Sequence, residues 1–225
     1  MKIRAHDISK TASATTIVFD ALREAIINGD LKQGEHLRQD EIARAFNVSR
    51  IPVREALQKL EQHGLIRNQR YKGAVVAGLS LEEASEIFDF RILLEPEVMR
   101  HAVPKMSPAV LENARRCCAD FAGATNPLRW GDLNRRFHAT LYQASQMPYH
   151  LEILGKTMDR IDPYLRAQLL LSDGMGRANS EHIAILEACS ARDAERAAEL
   201  TRQHIQGAKE SLIRYWQDGN IPELQ

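Results

Sequence analysis

The stretch Asn47-Val48-Ser49-Arg50-Ile51-Pro52-Val53-Arg54-Glu55-Ala56-Leu57 decides how this chain folds at its N-terminal end. It predicts a tight turn at Asn47-Val48 and then a helix whose N-cap is Ser49, a residue type favoured at that position. Pro52 falls in the first turn, where backbone N–H groups have no helical partner. Arg50 and Arg54 are four apart and share one helix face. Two forked cations near the start of a helix suit a reading helix in a DNA major groove, where a guanidinium bonds guanine O6 and N7 together.

The flanking residues complete the motif. From Thr15 to Asn28 the apolar residues Ile17, Val18, Ala21, Leu22, Ala25 and Ile26 recur at helical spacing, and Asn28-Gly29-Asp30 stops that helix. Lys32-Gln33-Gly34-Glu35 is a turn, and Leu37 enters a short extended piece. A second helix runs from about Gln39 to Phe46 with Ile42, Ala43 and Phe46 inward, and the third continues to about His63. Gly64 takes the C′ position, where a left-handed residue ends a helix. Leu65-Ile66-Arg67-Asn68 and Ala74-Val75-Val76-Ala77 are β-prone around Gln69-Arg70-Tyr71-Lys72-Gly73, which predicts a hairpin with a basic tip. Three helices and a two-stranded wing make a winged helix-turn-helix over residues 1–78, with residues 1–12 as a flexible arm.

On such a head Arg50 and Arg54 are the first candidates for DNA contact. Ser49 suits a phosphate at the helix N-terminus, and Ile51 and Pro52 suit a thymine methyl. Arg38 is a candidate phosphate contact. The wing residues Arg70 and Lys72 reach an adjacent groove or the backbone, and Gly73 permits close approach. One reading helix covers few base pairs, so a homodimer on a pseudo-palindromic duplex is expected.

Ser80-Leu81-Glu82-Glu83 is a capping-box pattern and places a boundary near Gly78. Beyond it the pattern is helical throughout, with helices expected at about 81–102, 108–123, 127–146, 149–171, 175–191 and 194–217 and a kink at Pro96. Ser107-Pro108 and Asn126-Pro127 each pair a cap with proline at the first helical position. The fold class is mainly α: a winged helix-turn-helix followed by an all-helical bundle of about six helices over 79–225.

Composition agrees with that division. The chain has 225 residues, 44% hydrophobic and only 6% aromatic, which favours helix over sheet. Net charge is zero, yet residues 1–78 carry 13 Lys and Arg against 9 Asp and Glu, and the remainder 17 against 21. A basic head on an acidic body suits polyanion binding at one end only. No apolar run approaches the ~18 residues of a membrane span, and Met1 to Ser13 lacks the apolar core of a signal peptide, so a cytoplasmic location is expected. Three cysteines, Cys117, Cys118 and Cys189, without CxxC spacing argue against a disulfide framework or a thiolate zinc knot.

Within the body His138 falls with Leu141 and Tyr142, His182 with Ile185, Leu186 and Cys189, and His204 with Ala197, Leu200 and Ala208. Taken singly, each is a hydrogen-bonded core histidine. Taken together and converging, they form a neutral-imidazole metal site completed by Asn134. Arg91 shares a stripe with Ile87, Leu94 and Val98, where a charge needs a partner. Two readings stand: an internal Arg91–Glu95 pair, or an arginine that forks onto the carboxylate of a small organic acid. Arg135, Tyr142, His101 and His150 are further candidates for that site.

The segments Leu22-Arg23-Glu24-Ala25-Ile26-Ile27-Asn28-Gly29, Gly34-Glu35-His36-Leu37, Glu41-Ile42-Ala43, Ser49 to Leu57, Leu60-Glu61, Gly64-Leu65-Ile66 and Lys72-Gly73-Ala74-Val75-Val76 follow in fixed order. In this the head resembles the DNA-binding domain of the GntR family of bacterial transcription regulators. Some members carry a further DNA-binding arginine early in the second helix; Asp40 stands there in this chain. Arg91 and Glu95, Asn134-Arg135-Arg136-Phe137-His138 with Leu141-Tyr142, Glu181-His182-Ile183 and His204 resemble the all-helical FCD ligand-binding domain of the FadR subfamily. That resemblance implies that Asn134, His138, His182 and His204 converge on a divalent metal, with zinc expected first and nickel or another ion suited to the same nitrogens. The first ligand of that set is often Asp, and Asn134 is a weaker neutral substitute.

The function implied is a ligand-responsive DNA-binding regulator, a repressor released by a small carboxylate, and not an enzyme. A metal-dependent hydrolase body and a direct metal sensor are the alternatives. Glu181 is the only base near the histidines for the hydrolase, and no nucleophile elbow, P-loop or dinucleotide fingerprint is present.

Overall fold

A computed structural model of the chain describes residues 13–69, 73–126, 129–171 and 174–217. The arm at 1–12, the wing residues Arg70 and Lys72, and the helix start expected at Pro127 lie outside the described residues. The fold divides between Gly78 and Leu79 into two compact units.

In the first unit, helix α1 (Ala14–Asn28) starts where the Ser13 hydroxyl accepts the Thr16 N–H at 3.1 Å and ends at Gly29. Val18, Leu22 and Ile26, four residues apart, pack against Val53, Ala56, Leu57 and Leu60 of α3 (Arg50–Gln62). Ile17, expected to share that stripe, is 51% exposed, because Val18 takes the core-facing position beside it. Helix α2 (Gln39–Ala45) joins α3 through a turn in which Asn47 has φ 51° and the Val48 N–H donates to the Ala43 carbonyl at 3.0 Å. Asparagine tolerates that left-handed backbone. At the other end of α3, Gly64 has φ 70°, and the Leu65 N–H closes back on the Leu60 carbonyl at 3.0 Å.

The wing is the antiparallel pair β2 (Ile66–Gln69) and β3 (Gly73–Val76), with Gln69 opposite Gly73. A third strand, β1 (His36–Leu37), pairs with the other edge of β3, so the sheet order is β1-β3-β2. The expected two-stranded wing thus belongs to a three-stranded sheet. β1 satisfies backbone groups that a bare hairpin edge leaves open, and Leu37 turns its side chain into the core.

The second unit opens with α4 (Leu81–Ala102). Its capping box is complete: the Ser80 hydroxyl accepts the Glu83 N–H at 3.2 Å, and Glu83 accepts the Ser80 N–H at 3.1 Å. Ser80→Ala lowers unfolding free energy by about 1 kcal/mol, read as a lower denaturant midpoint at an unchanged slope. The helix continues as one element through the buried Pro96. Helix α5 (Pro108–Ala122) is capped by Ser107. Helix α6 (Trp130–Tyr142) passes into a 3-10 turn at Gln143–Ser145 and stops short of the expected residue 146. Gln146 is left-handed there, with φ 59°, and Pro148 opens α7 (Pro148–Leu171). Helices α8 (Gly174–Ser190) and α9 (Ala194–Gln217) complete six α-helices among the described residues of the body.

Helix α4 packs along α9, and α5 packs against α6 and α8. Val98, Met99, Ala114, Phe137, Leu141, Ile185 and Cys189 form one apolar cluster, and Phe88, Ile161, Ile205 and Leu212 another. All three cysteines are buried free thiols, and burial pushes Cys189 up to about 12. Among the described residues no helix is long and apolar enough to cross a membrane.

Candidate functional site

The core-facing stripes of α6, α8 and α9 bring His138, His182 and His204 together. Their rings lie 5.0 Å apart centroid to centroid in each pair, and one nitrogen of each falls within 4.8 Å of the others. The surroundings set the tautomers. His204 Nδ1 lies 2.7 Å from the Glu181 carboxylate, which only accepts, so Nδ1 carries a proton. The Tyr142 hydroxyl donates to Glu95 Oε2 at 2.6 Å, so its contact with His138 Nδ1 at 3.4 Å is one in which the imidazole donates. His138 Nε2 is then a bare lone pair, and it faces His204 Nε2 at 3.2 Å. That contact needs a cation, either a metal or a proton on His204 Nε2, to hold the two nitrogens together.

His182 repeats the demand. It is fully buried, stacked on Phe137 at 4.4 Å and against Phe121 at 4.9 Å, and neither ring nitrogen has a hydrogen-bond partner among the described residues. Leaving such groups unsatisfied costs about 1–3 kcal/mol each. Burial, with His204 beside them, holds His138 and His182 well below the ordinary histidine value of 6.5, so both stay neutral and ligand-ready. Asn134 is buried one turn before His138 on the same helix and makes no side-chain hydrogen bond among the described residues. The donor set fits a divalent metal.

A cavity of about 290 Å³ opens beside His138, walled by Glu95, Arg135, Tyr142 and Gln143 and by the apolar Leu151, Leu154 and Met158. Glu95, Arg135 and Tyr142, expected at an effector site, lie on this wall; Arg91 is not among its residues. Arg91 is buried and bonds Glu95 through Nε at 2.6 Å, while its Nη1 has no partner among the described residues. Arg135 is held by Asp159 at 2.5 Å and by Asp162 at 3.3 Å, both buried. Sequence reading missed these two acids, although charges beside the apolar Met158, Ile161 and Leu165 of one helix are a signal. Glu181, the candidate base for the alternative hydrolase reading, lies against His204 Nδ1 and is itself 3.5 Å from Arg177. His101 pairs with Glu97 at an exposed site, and His150 meets the Tyr149 ring edge-on; neither lines the cavity.

In the head, Arg50 and Arg54 are exposed on α3. Ser49 is the N-cap with extended backbone, but its hydroxyl makes no capping bond. Ile51 is 58% exposed, Pro52 half-buried, and Gly73 exposed with φ 74° at the start of β3. Arg38, at the N-cap of α2, pairs with Glu41 at 3.3 Å. Asp40, one helical turn before Arg44, makes an ion pair with Arg50.

A winged helix-turn-helix joined to an all-helical body is the architecture of a DNA-binding transcription regulator. The chain belongs to the GntR family of bacterial regulators: residues 14–76 match the family described as bacterial regulatory proteins, gntR family, and residues 86–207 match the FCD domain. It is 28% identical over 210 residues to the uncharacterized HTH-type transcriptional regulator BphR of Paraburkholderia xenovorans (strain LB400), covering 89% of this chain and 86% of that protein. Over 96 residues it is 41% identical to the gluconate operon transcriptional repressor of Bacillus subtilis (strain 168), covering 43% and 39%. The structure of E. coli McbR/YncC has the same fold, with a TM-score of 0.81 over 92% of this chain and 100% of that chain at 22% identity.

Proposed function

We propose that the protein is a homodimeric repressor that leaves its operator when a small organic acid binds beside a metal in the helical body. The observation that carries this is the convergence of three buried imidazoles, with His138 Nε2 3.2 Å from His204 Nε2 and both His182 nitrogens without a hydrogen-bond partner among the described residues. His138, His182 and His204, with Asn134, would hold the ion; zinc is the first choice and nickel suits the same nitrogens. The ion would supply positive charge beside the cavity.

That charge is needed. Of the charged residues that line the cavity, Arg135 is engaged by Asp159 and Asp162 and Glu95 by Arg91, so little unpaired positive charge faces an anion there, and the metal would supply it. Leu151, Leu154 and Met158 on the same wall favour an acid with an apolar end. The relative named for repression of a gluconate operon supports the sense of regulation. Release follows if the acid binds more tightly to the arrangement of the dimer that fits DNA poorly. DNA contact falls to Ser49, Arg50, Ile51, Pro52 and Arg54, with Arg38 and the wing residues Arg70, Lys72 and Gly73 flanking.

The test is a thermal-shift screen of small carboxylic acids on zinc-loaded and chelator-stripped protein, with metal content measured in both. An acid that raises the melting temperature of loaded protein should lose that effect on stripping and regain it on reloading. Equal shifts in stripped protein would sink the metal–acid reading. A metal-dependent change in DNA binding with no acid responding would favour the direct metal sensor.

A further inference from the structure

We propose that Asp40 is a positioning residue for Arg50: its carboxylate braces the guanidinium and so sharpens base discrimination at the expense of non-specific DNA affinity. The inference rests on the assignment of Arg50 to the DNA face. Asp40 is the second residue of α2 and Arg50 the first of α3, so both side chains spring from helices rather than a loop. The two helices are locked by Ile42, Ala43, Val53 and Leu57 in one apolar cluster and by the Val48–Ala43 backbone bond in the turn. The spacing between the two side chains is therefore a property of the fold.

The contact runs from Arg50 Nε to Asp40 Oδ1. A guanidinium has five N–H donors in a planar fork, and a carboxylate on Nε leaves donors on both Nη atoms for a second partner. A guanine edge needs two parallel donors. Arg54, one turn further on, forms no ion pair among the described residues and keeps its rotamer freedom. The head thus presents one braced and one free arginine on the same face.

Fold stability does not account for the pair. Its side chains are 72% and 56% exposed, and exposed pairs contribute little to folding. Close to DNA the carboxylate opposes the phosphates, which weakens every sequence equally. What it returns is an arginine already oriented for one base edge, so that less ordering is needed at the right sequence than at a wrong one.

The experiment uses full-length protein and the duplex that the parent selects from a random-sequence library. Affinities of the parent, Asp40→Asn, Asp40→Glu, Arg50→Ala and Arg54→Ala are measured for that duplex, for single-base-pair variants of it and for random-sequence duplex, across a salt series. Arg50→Ala identifies the base pair that Arg50 reads. Asp40→Asn should bind random duplex roughly threefold to tenfold more tightly and lose about tenfold of the preference at that one base pair. Asp40→Glu should recover part of the preference, and the pair read by Arg54 should be unaffected. Unchanged preference and random-duplex affinity in Asp40→Asn would overturn the inference. So would a uniform loss on all duplexes that Asp40→Glu does not rescue, since that marks a merely structural role. If Arg50→Ala alters no base preference, the premise about Arg50 fails and the inference with it, a result distinct from failure of the brace.

Discussion

Replacing Arg50 and Arg54 together by alanine lowers affinity for the selected duplex by at least about a hundredfold at fixed salt, since each bidentate guanine contact contributes roughly 1–3 kcal/mol. Both side chains are exposed, and the core contacts of α3 come from Val53, Ala56, Leu57 and Leu60, so the head stays folded. Affinity for random duplex falls much less, because it depends on charge and not on base edges. The check is fluorescence anisotropy on both duplexes together with a melting curve. A double variant that binds its selected duplex within about threefold of the parent, while folded, would remove α3 as the reading helix.

His182→Ala has the second large effect, on metal content and on stability. The side chain is fully buried between Phe137 and Phe121, and its two nitrogens have no partner among the described residues. Bound metal should fall from one ion per chain to none by elemental analysis. A ligand present at a hundred times its dissociation constant stabilises the fold by about 2.7 kcal/mol, so parent protein stripped by chelator should melt lower by a comparable amount. Stripped and loaded forms of His182→Ala should melt alike. Acidity should mimic stripping. His138 and His182 lie below 6.5 in the folded chain, so below that pH the unfolded chain binds more protons than the folded one. Stability is therefore present above pH 6.5 and is lost as the pH falls below it. A melting temperature that stays flat across that window would contradict the buried neutral imidazoles.

How much of this was legible in the sequence depends on the range of the interaction. Local features read well: the Asn47-Val48 turn, Gly64 after α3 and the Ser80–Glu83 capping box are each written within a few residues. The six body helices follow from periodicity, and so did the core-facing direction of His138, His182 and His204. β1 was legible only as extended backbone at Leu37, since a two-residue strand carries no alternation and its partner Val75 is far along the chain. Pairings between helices had no sequence signal. The brace of Asp40 on Arg50, the hold of Asp159 and Asp162 on Arg135, and the Glu181–His204 bond all depend on which helix faces lie opposite. Sequence position alone put Glu181 a helical step away from the histidine beside it, and that step is what carries it to His204 on another helix.

The central claim is that the grip of α3 on DNA is conditional on what the helical body binds. The most direct test is one anisotropy titration: zinc-loaded full-length protein on its selected duplex at constant salt, with and without a carboxylic acid that raises its melting temperature. The account predicts that affinity for the duplex falls at least fivefold, about 1 kcal/mol, when the acid is present, and that the fall disappears after chelator stripping. An acid that binds the loaded protein and leaves duplex affinity unchanged would contradict it.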